Sequence, residues 1–197
     1  MFGRLFKKKQ TPPAGQFLVA RLNARLQPMH RGEFFEDPLD AVLKKHRVGE
    51  VSGGGTMQAK SGEIEYCEIE IQVPASSTDV ASLVASTLEE LGAPKGSKLT
   101  IEASGGEVAF GAAEGLAVYL NGTDLPAETY RDCDSNHVYA EFDRLLDGEG
   151  RVLSYWQGPR ETALYMYGRS FDEMKDRLSE FIATYPLCEQ CRVEQIA

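Results

Sequence analysis

Apolar and polar residues alternate along residues 17–27. Leu18, Ala20, Leu22, Ala24 and Leu26 point one way, and Arg21, Asn23 and Arg25 the other. A period of two predicts a half-buried strand. The stretch "EDPLDAVLKKHRVG" then predicts a short helix, with Asp37 as N-cap, Pro38 in the first helical position and Gly49 past its end. Residues 50–60 and 64–73 read as two strands joined at Ser61-Gly62. The second of them is clear: Cys67, Ile69, Ile71 and Val73 alternate with Glu68, Glu70 and Gln72. A helical stripe of Val80, Leu83, Val84, Leu88 and Leu91 follows, stopped by Gly92 and Pro94, and "SKLTIEA" closes the first half as a strand.

The second half repeats this order. "EGLAVYLNG" predicts a strand, with a short lead-in over residues 107–110. "SNHVYAEFDRLLDG" predicts a helix, and "GRVLSYWQG" and "RETALYMYG" a hairpin across Gly158-Pro159. "SFDEMKDRLSEFIATYP" predicts a helix opened by a Ser170/Glu173 capping box, and "CRVEQIA" a last strand. Two successive βαββαβ runs resemble a tandem duplication of ferredoxin-like units. The expected class is α+β, with antiparallel sheets that each carry two helices on one face. The expected division is a tail at residues 1–15, a first unit at 16–104 and a second at 105–197. Such units leave one face of each sheet open, and what covers that face decides the function.

The 197 residues are 42% hydrophobic and 26% charged, an ordinary globular composition with a formal charge of −9. The basic opening "MFGRLFKKKQ" holds Arg4, Lys7, Lys8 and Lys9. Setting those four aside leaves 17 basic against 30 acidic residues, a body at −13. Such a body repels phosphate backbones, which argues against nucleic acid and suits a basic protein partner. No run reaches the roughly 18 apolar residues of a membrane span, and no apolar signal core follows the basic start. Four cysteines without a secretory signal point to reduced thiols in the cytoplasm.

The glycine run Gly53, Gly54, Gly55 invites a phosphate-loop reading. It lies inside a predicted strand, however, not between a strand and a helix N-terminus, where free N–H groups would meet an anion. Close approach of another group is the better expectation. Aligning "GEVSGGGTM" with "GRVLSYWQG" sets Gly54 and Gly55 opposite Tyr155 and Trp156, so that the glycines are expected to make room for an aromatic ring between the units. Ligand binding between repeats, in the manner of ACT-like pairs, would then use Gly53, Gly54, Gly55 and Tyr155, near Trp156.

Cys133, His137, Cys188 and Cys191 form a weak zinc candidate, since one C-x-x-C carries little specificity. "DCDSNH" fails the calcium-loop pattern at two positions, and its residues fit an Asx turn and helix cap better. His30, beside Glu33 and Glu36, is a candidate base in a polar loop, but no nucleophile elbow or metal-hydrolase motif accompanies it. Of the adjacent Phe34 and Phe35, one is expected to staple the following helix and the other to serve as a contact.

Tyr119, Tyr165 and Tyr167 alternate with apolar residues and point to the face of the second sheet away from its helices, with Trp156 nearby. "ETALYMYG" lacks the RNA-recognition signature, so this face is expected to be buried against the other unit or offered to a protein. The leading expectation is a non-enzymatic protein-binding module without cofactor, for instance an immunity or antitoxin-like protein for a basic toxin. Glu68 and Glu70 would steer the partner, Tyr119, Trp156, Tyr165 and Tyr167 would anchor it, and Phe34 and Phe35 would add contacts. A homodimer is compatible with this expectation. A ligand sensor and an enzyme assembled from distant residues are the alternatives.

Overall fold

The computed structural model describes residues 16–74 and 78–197; the basic tail expected at 1–15 lies outside these. Strand β1 (Gln16–Leu22) enters helix α1 (Pro28–Arg31), a π-helical turn (Gly32–Glu36) and α2 (Asp37–His46). Strands β2 (Glu50–Gln58) and β3 (Ile64–Val73), helix α3 (Thr78–Glu90) and β4 (Ser97–Ile101) complete the first βαββαβ run, and β5 (Gly106–Phe110) follows. The second run is β6 (Glu114–Asn121), α4 (Ala127–Asp132), α5 (Ser135–Leu145), β7 (Gly150–Gln157), β8 (Glu161–Gly168), α6 (Phe171–Thr184) and β9 (Arg192–Gln195).

The strand orders are β2-β3-β1-β4-β5 and β7-β8-β6-β9, with every pairing antiparallel. Both place the third strand of the run between the second and the first, with the fourth on the far side. The chain is therefore a tandem pair of ferredoxin-like units. Strand β5, expected as a lead-in to the second unit, instead pairs with β4 and adds a fifth strand to the first sheet.

A finer repeat confirms the duplication. Each second strand carries an irregularity just after its valine, between Val51 and Gly53 in β2 and between Val152 and Ser154 in β7. A helix aspartate then takes the N–H of that valine: Asp40 Oδ1 accepts from Val51 N at 3.0 Å, and Asp143 Oδ1 from Val152 N at 3.2 Å. An edge-strand N–H turned away from its neighbour needs such an acceptor.

Three expectations are corrected. Strand β1 stops at Leu22 rather than near residue 27, although Ala24 and Leu26 stay buried. The helix expected to start at Asp37 begins at Pro28, because the π-helical turn joins α1 to α2 without a break. Asp37 therefore does not cap it, and "PMHRGEFFEDP" is helical rather than a loop. Short α4 is an addition that its sequence did not signal.

The core falls into two parts. On the first sheet, Leu18, Ala20, Ile69, Ile71 and Leu99 pack with Leu39 and Leu43 of α2 and Val84 and Leu88 of α3. That cluster runs on into Ala117, Tyr119, Ala163, Tyr165 and Tyr167 of the second sheet. The other face of the second sheet packs Leu116, Val118, Leu164 and Met166 against Val138, Phe142, Met174 and Leu178. The second sheet is covered on both faces and the first on one.

Candidate functional site

The tyrosine face is sealed between the units, so Tyr119, Tyr165 and Tyr167 are not partner contacts. Their exposures are 2%, 0% and 4%. After β1, residues 23–27 cross this face and bring polar groups to the hydroxyls, which a buried phenol requires. Arg25 N donates to Tyr167 Oη at 2.8 Å. Glu63 Oε1 accepts from Tyr119 Oη at 2.6 Å, from Tyr165 Oη at 2.8 Å and from the Arg25 guanidinium. Arg192 lies over the Tyr119 ring at 3.8 Å. Burial pushes the Tyr119 hydroxyl up to about 12, with the Glu63 bond adding to it, and raises Tyr165 for the same two reasons. Burial also raises Tyr167. All three hydroxyls stay protonated at neutral pH, Tyr119 and Tyr165 donating to Glu63 and Tyr167 accepting from Arg25 N, and the cluster ties the units together. Arg25 and Glu63 were not anticipated; the available signal was three tyrosines with no assigned hydrogen-bond partner.

The glycine run answers to a different neighbour than the expected ring. A Cβ on Gly54 would lie 2.5 Å from Glu36 Oε1, 2.6 Å from the Glu68 carbonyl oxygen and 3.0 Å from Arg31 Nε. Arg31 is buried; its Nε donates to Glu36 at 2.7 Å, and its guanidinium also donates to Gly55 O at 2.9 Å and to Thr56 Oγ1 at 2.7 Å. The helical segment thus lays an ion pair across the edge strand, and Gly54 makes the space. At Gly55 an added Cβ meets nothing within 4 Å. Trp156 is half-buried between the units, its Nε1 3.9 Å from the Cβ position of Gly62 in the other hairpin.

Phe35 is fully buried. Phe34 is half-buried, with the Arg151 guanidinium 4.8 Å from its ring centre and His30 stacked on it at 6.2 Å. His30 Nδ1 lies 3.0 Å from Ser154 Oγ, which also accepts from Gln27 N at 3.1 Å. Ser154 is 0% exposed, so this histidine–serine pair cannot present a nucleophile to a substrate. Tyr155 and His30 line a polar cleft of about 410 Å³ with Ser135, Asn136 and Tyr139, and the glycine run has no part in it. The expected ligand set of Gly53, Gly54, Gly55 and Tyr155 is therefore not brought together.

Burial holds the His30 imidazole below its usual value, partly offset by Glu33. A histidine depressed on folding supports stability above the unfolded value of about 6.5 and withdraws it as pH falls from there through the lower folded value. We expect the His30 ring to titrate below 6.5 by NMR, and His30→Gln to flatten the fall in melting temperature below that pH. A ring titrating above 6.5 would contradict the buried setting.

The zinc candidate does not assemble. Cys188 closes a 3₁₀ turn (Pro186–Cys188) in the second core, and burial raises its thiol to about 12. His137 faces the rings of Phe181 and Tyr185. Among the described residues, no group of three His, Cys, Asp or Glu is placed to hold a metal. Asp134 caps α5 through Asn136 N at 2.8 Å, which is the helix-cap role expected for it.

The remaining surface is the face of the first sheet opposite α2 and α3. Phe17, Val19 and Arg21 of β1 stand there beside Gln72, Glu70 and Glu68 of β3, their register partners. Glu70 and Gln72 are exposed and Glu68 half-buried, while Phe17 and Val19 join neither core cluster. Arg21 lies 3.4 Å over the Tyr66 ring. Lys98 pairs with Glu107 at 2.6 Å. Among the described residues, no cation pairs with Glu68 or Glu70.

No family model matches the chain, and no curated protein matches it. Solved structures similar to it include the first two RRM domains of yeast poly(U)-binding protein, at 13% identity, covering 91% of this chain and 99% of that one, with a TM-score of 0.26. A putative monooxygenase from Lactobacillus acidophilus NCFM is 14% identical, covers 92% of each chain and has a TM-score of 0.30. Another from Fusobacterium nucleatum is 10% identical, covering 92% of this chain and 90% of that one, with a TM-score of 0.32. At these scores the likenesses carry no activity across, and the fold assignment rests on the strand order itself. No helix among the described residues is long and apolar enough to cross a membrane.

Proposed function

We propose that this is a non-enzymatic protein-binding module that docks a basic protein on the helix-free face of its first sheet. The observation that carries the reading is the juxtaposition of Glu68 and Glu70, without cationic partners among the described residues, with the apolar Phe17 and Val19 on adjacent strands. An apolar strip rimmed by like charge favours a partner of opposite charge, which the acid groups attract before contact is made. The −13 charge of residues 11–197 supports the same partner class. Immunity-type occlusion of a basic toxin is one concrete form, and a reducing cytoplasmic setting belongs to the same proposal. The buried Ser154 and the protonated tyrosines support binding over catalysis.

The test is titration with a set of purified basic proteins at rising salt. Association should weaken with ionic strength, and the double variant Glu68→Lys/Glu70→Lys should slow it by roughly tenfold or more. The proposal fails if no basic protein binds in a salt-sensitive way, or if the double reversal leaves the binding rate unchanged.

A further inference from the structure

A cleft of about 540 Å³ opens between the two units, away from the glycine run. Leu91, at the end of α3, forms part of one wall, and Leu153 and Tyr167 of the second unit form the other. Glu149, in the turn between α5 and β7, also lines it. Its side chain has 0% exposure. One oxygen, Oε2, accepts from Arg169 at 2.6 Å. The other, Oε1, is buried and accepts no hydrogen bond from any described residue. The turn holds it in place: Glu149 N donates to Leu146 O at 2.8 Å, and Arg169 N donates to Glu149 O at 3.0 Å.

A buried carboxylate oxygen without a donor is costly, and native structures keep few of them. Its residue lines a cleft of ligand size with mostly apolar walls, where a single placed polar group fixes a ligand's orientation. The facing wall adds a second acid. Glu89 spends Oε1 on Gly111 N at 2.8 Å and has no cationic partner among the described residues. Of the two cations lining the cleft, Arg169 is committed to Glu149 and to Gly148 O, and Arg151 lies against the Phe34 ring.

We infer that this cleft binds a small organic cation, a primary ammonium on an apolar body, with a turn of the Glu149 carboxylate towards the cleft letting Oε1 accept from the ammonium and Leu91, Leu153 and Tyr167 enclosing the hydrocarbon. The site is independent of the acidic sheet face. An N–H donor satisfies the orphaned oxygen, and the positive charge answers both carboxylates, which a neutral hydroxyl does only in part.

The test uses the full chain and two probes of equal shape, isoamylammonium chloride and isoamyl alcohol, followed by NMR. The ammonium should shift the Leu91, Leu153 and Tyr167 signals, saturating in the millimolar range that so small a ligand allows. The alcohol should bind at least roughly tenfold more weakly. Glu149→Gln should weaken the ammonium by a similar factor and leave the alcohol unchanged, and Leu91→Trp should block both. Should Glu149→Gln fail to fold, the comparison of the two probes on the unaltered protein still decides. Equal affinity for both probes overturns the cationic assignment, and absence of shifts at the three wall residues overturns the site.

Discussion

Gly54→Val is expected to destabilise the protein by about 3–5 kcal/mol, the range for breaking a buried ion pair in a packed site. Two of the atoms that the new side chain would strike belong to the Arg31–Glu36 pair, and the third is the backbone oxygen of Glu68. The carbonyl is fixed by the strand pairing of β3 with its neighbours and cannot withdraw. The pair can move only by giving up the Arg31 bonds to Gly55 O and Thr56 Oγ1, leaving a buried guanidinium short of acceptors. Gly55→Ala is the control. It meets nothing within 4 Å and should change stability by less than about 0.5 kcal/mol. For a domain of this size the first variant should lower the melting temperature by roughly 6–20 °C. Equal melting temperatures for the two variants would show that the edge strand is not closed by this ion pair.

The second large effect falls on the seam between the units. Glu63→Ala removes the acceptor shared by Tyr119, Tyr165 and Arg25. Two phenols in a sealed interface would then lose their acceptor, and the guanidinium would keep only its bond to Tyr119 Oη. Arg25 and Glu63 keep 26% and 21% side-chain exposure, so water recovers part of the loss, and about 3 kcal/mol is expected. Tyr165→Phe should cost about 1 kcal/mol alone, and less once Glu63 is already alanine, because the two substitutions remove the same bond. Urea unfolding of the single and double variants measures that coupling. Strict additivity, or an unchanged midpoint for Glu63→Ala, would mean the cluster contributes nothing to holding the units together.

Much of the fold was legible because side-chain period reports secondary structure directly. The alternation of Cys67, Ile69, Ile71 and Val73 and the capping serine of α6 both appear where they were expected. The helix starting at Pro28 was missed because Pro38 is an equally good first helical residue, and a π-helical turn has no period of its own to betray it. The sequence carries a signal that favours burial of the tyrosine face over its exposure. Strands β6 and β8 are buried at nearly every central position, "LAVYL" and "ALYMY", which marks a sheet covered on both faces. In β3 the strict alternation marks a sheet covered on one face.

The candidate site was less legible, since it depends on which faces meet. Glu68 and Glu70 stand on the uncovered face that their alternation implied. The tyrosines share a face as expected, but the chain that closes over them is residues 23–27, and Arg25 and Tyr167 are 142 positions apart. Gly54 was recognised as a place of close approach, while the approaching group, Arg31 with Glu36, sits in a segment whose helical form was not foreseen. Glu149 in "DGEGR" reads as one more charge in a polar turn, and only the docking of the second unit puts it in a cleft and leaves one of its oxygens without a donor.

By itself, then, the sequence determined two βαββαβ units, the residues that share each strand face, and the acidity of the whole. Local period and capping set these, acting over a few residues. The tertiary structure alone decided what seals the tyrosine face of the second sheet, that the glycines accommodate an ion pair, and that an inter-unit cleft remains. Those outcomes depend on contacts between distant segments, and a residue's position along the chain does not record what will pack against it.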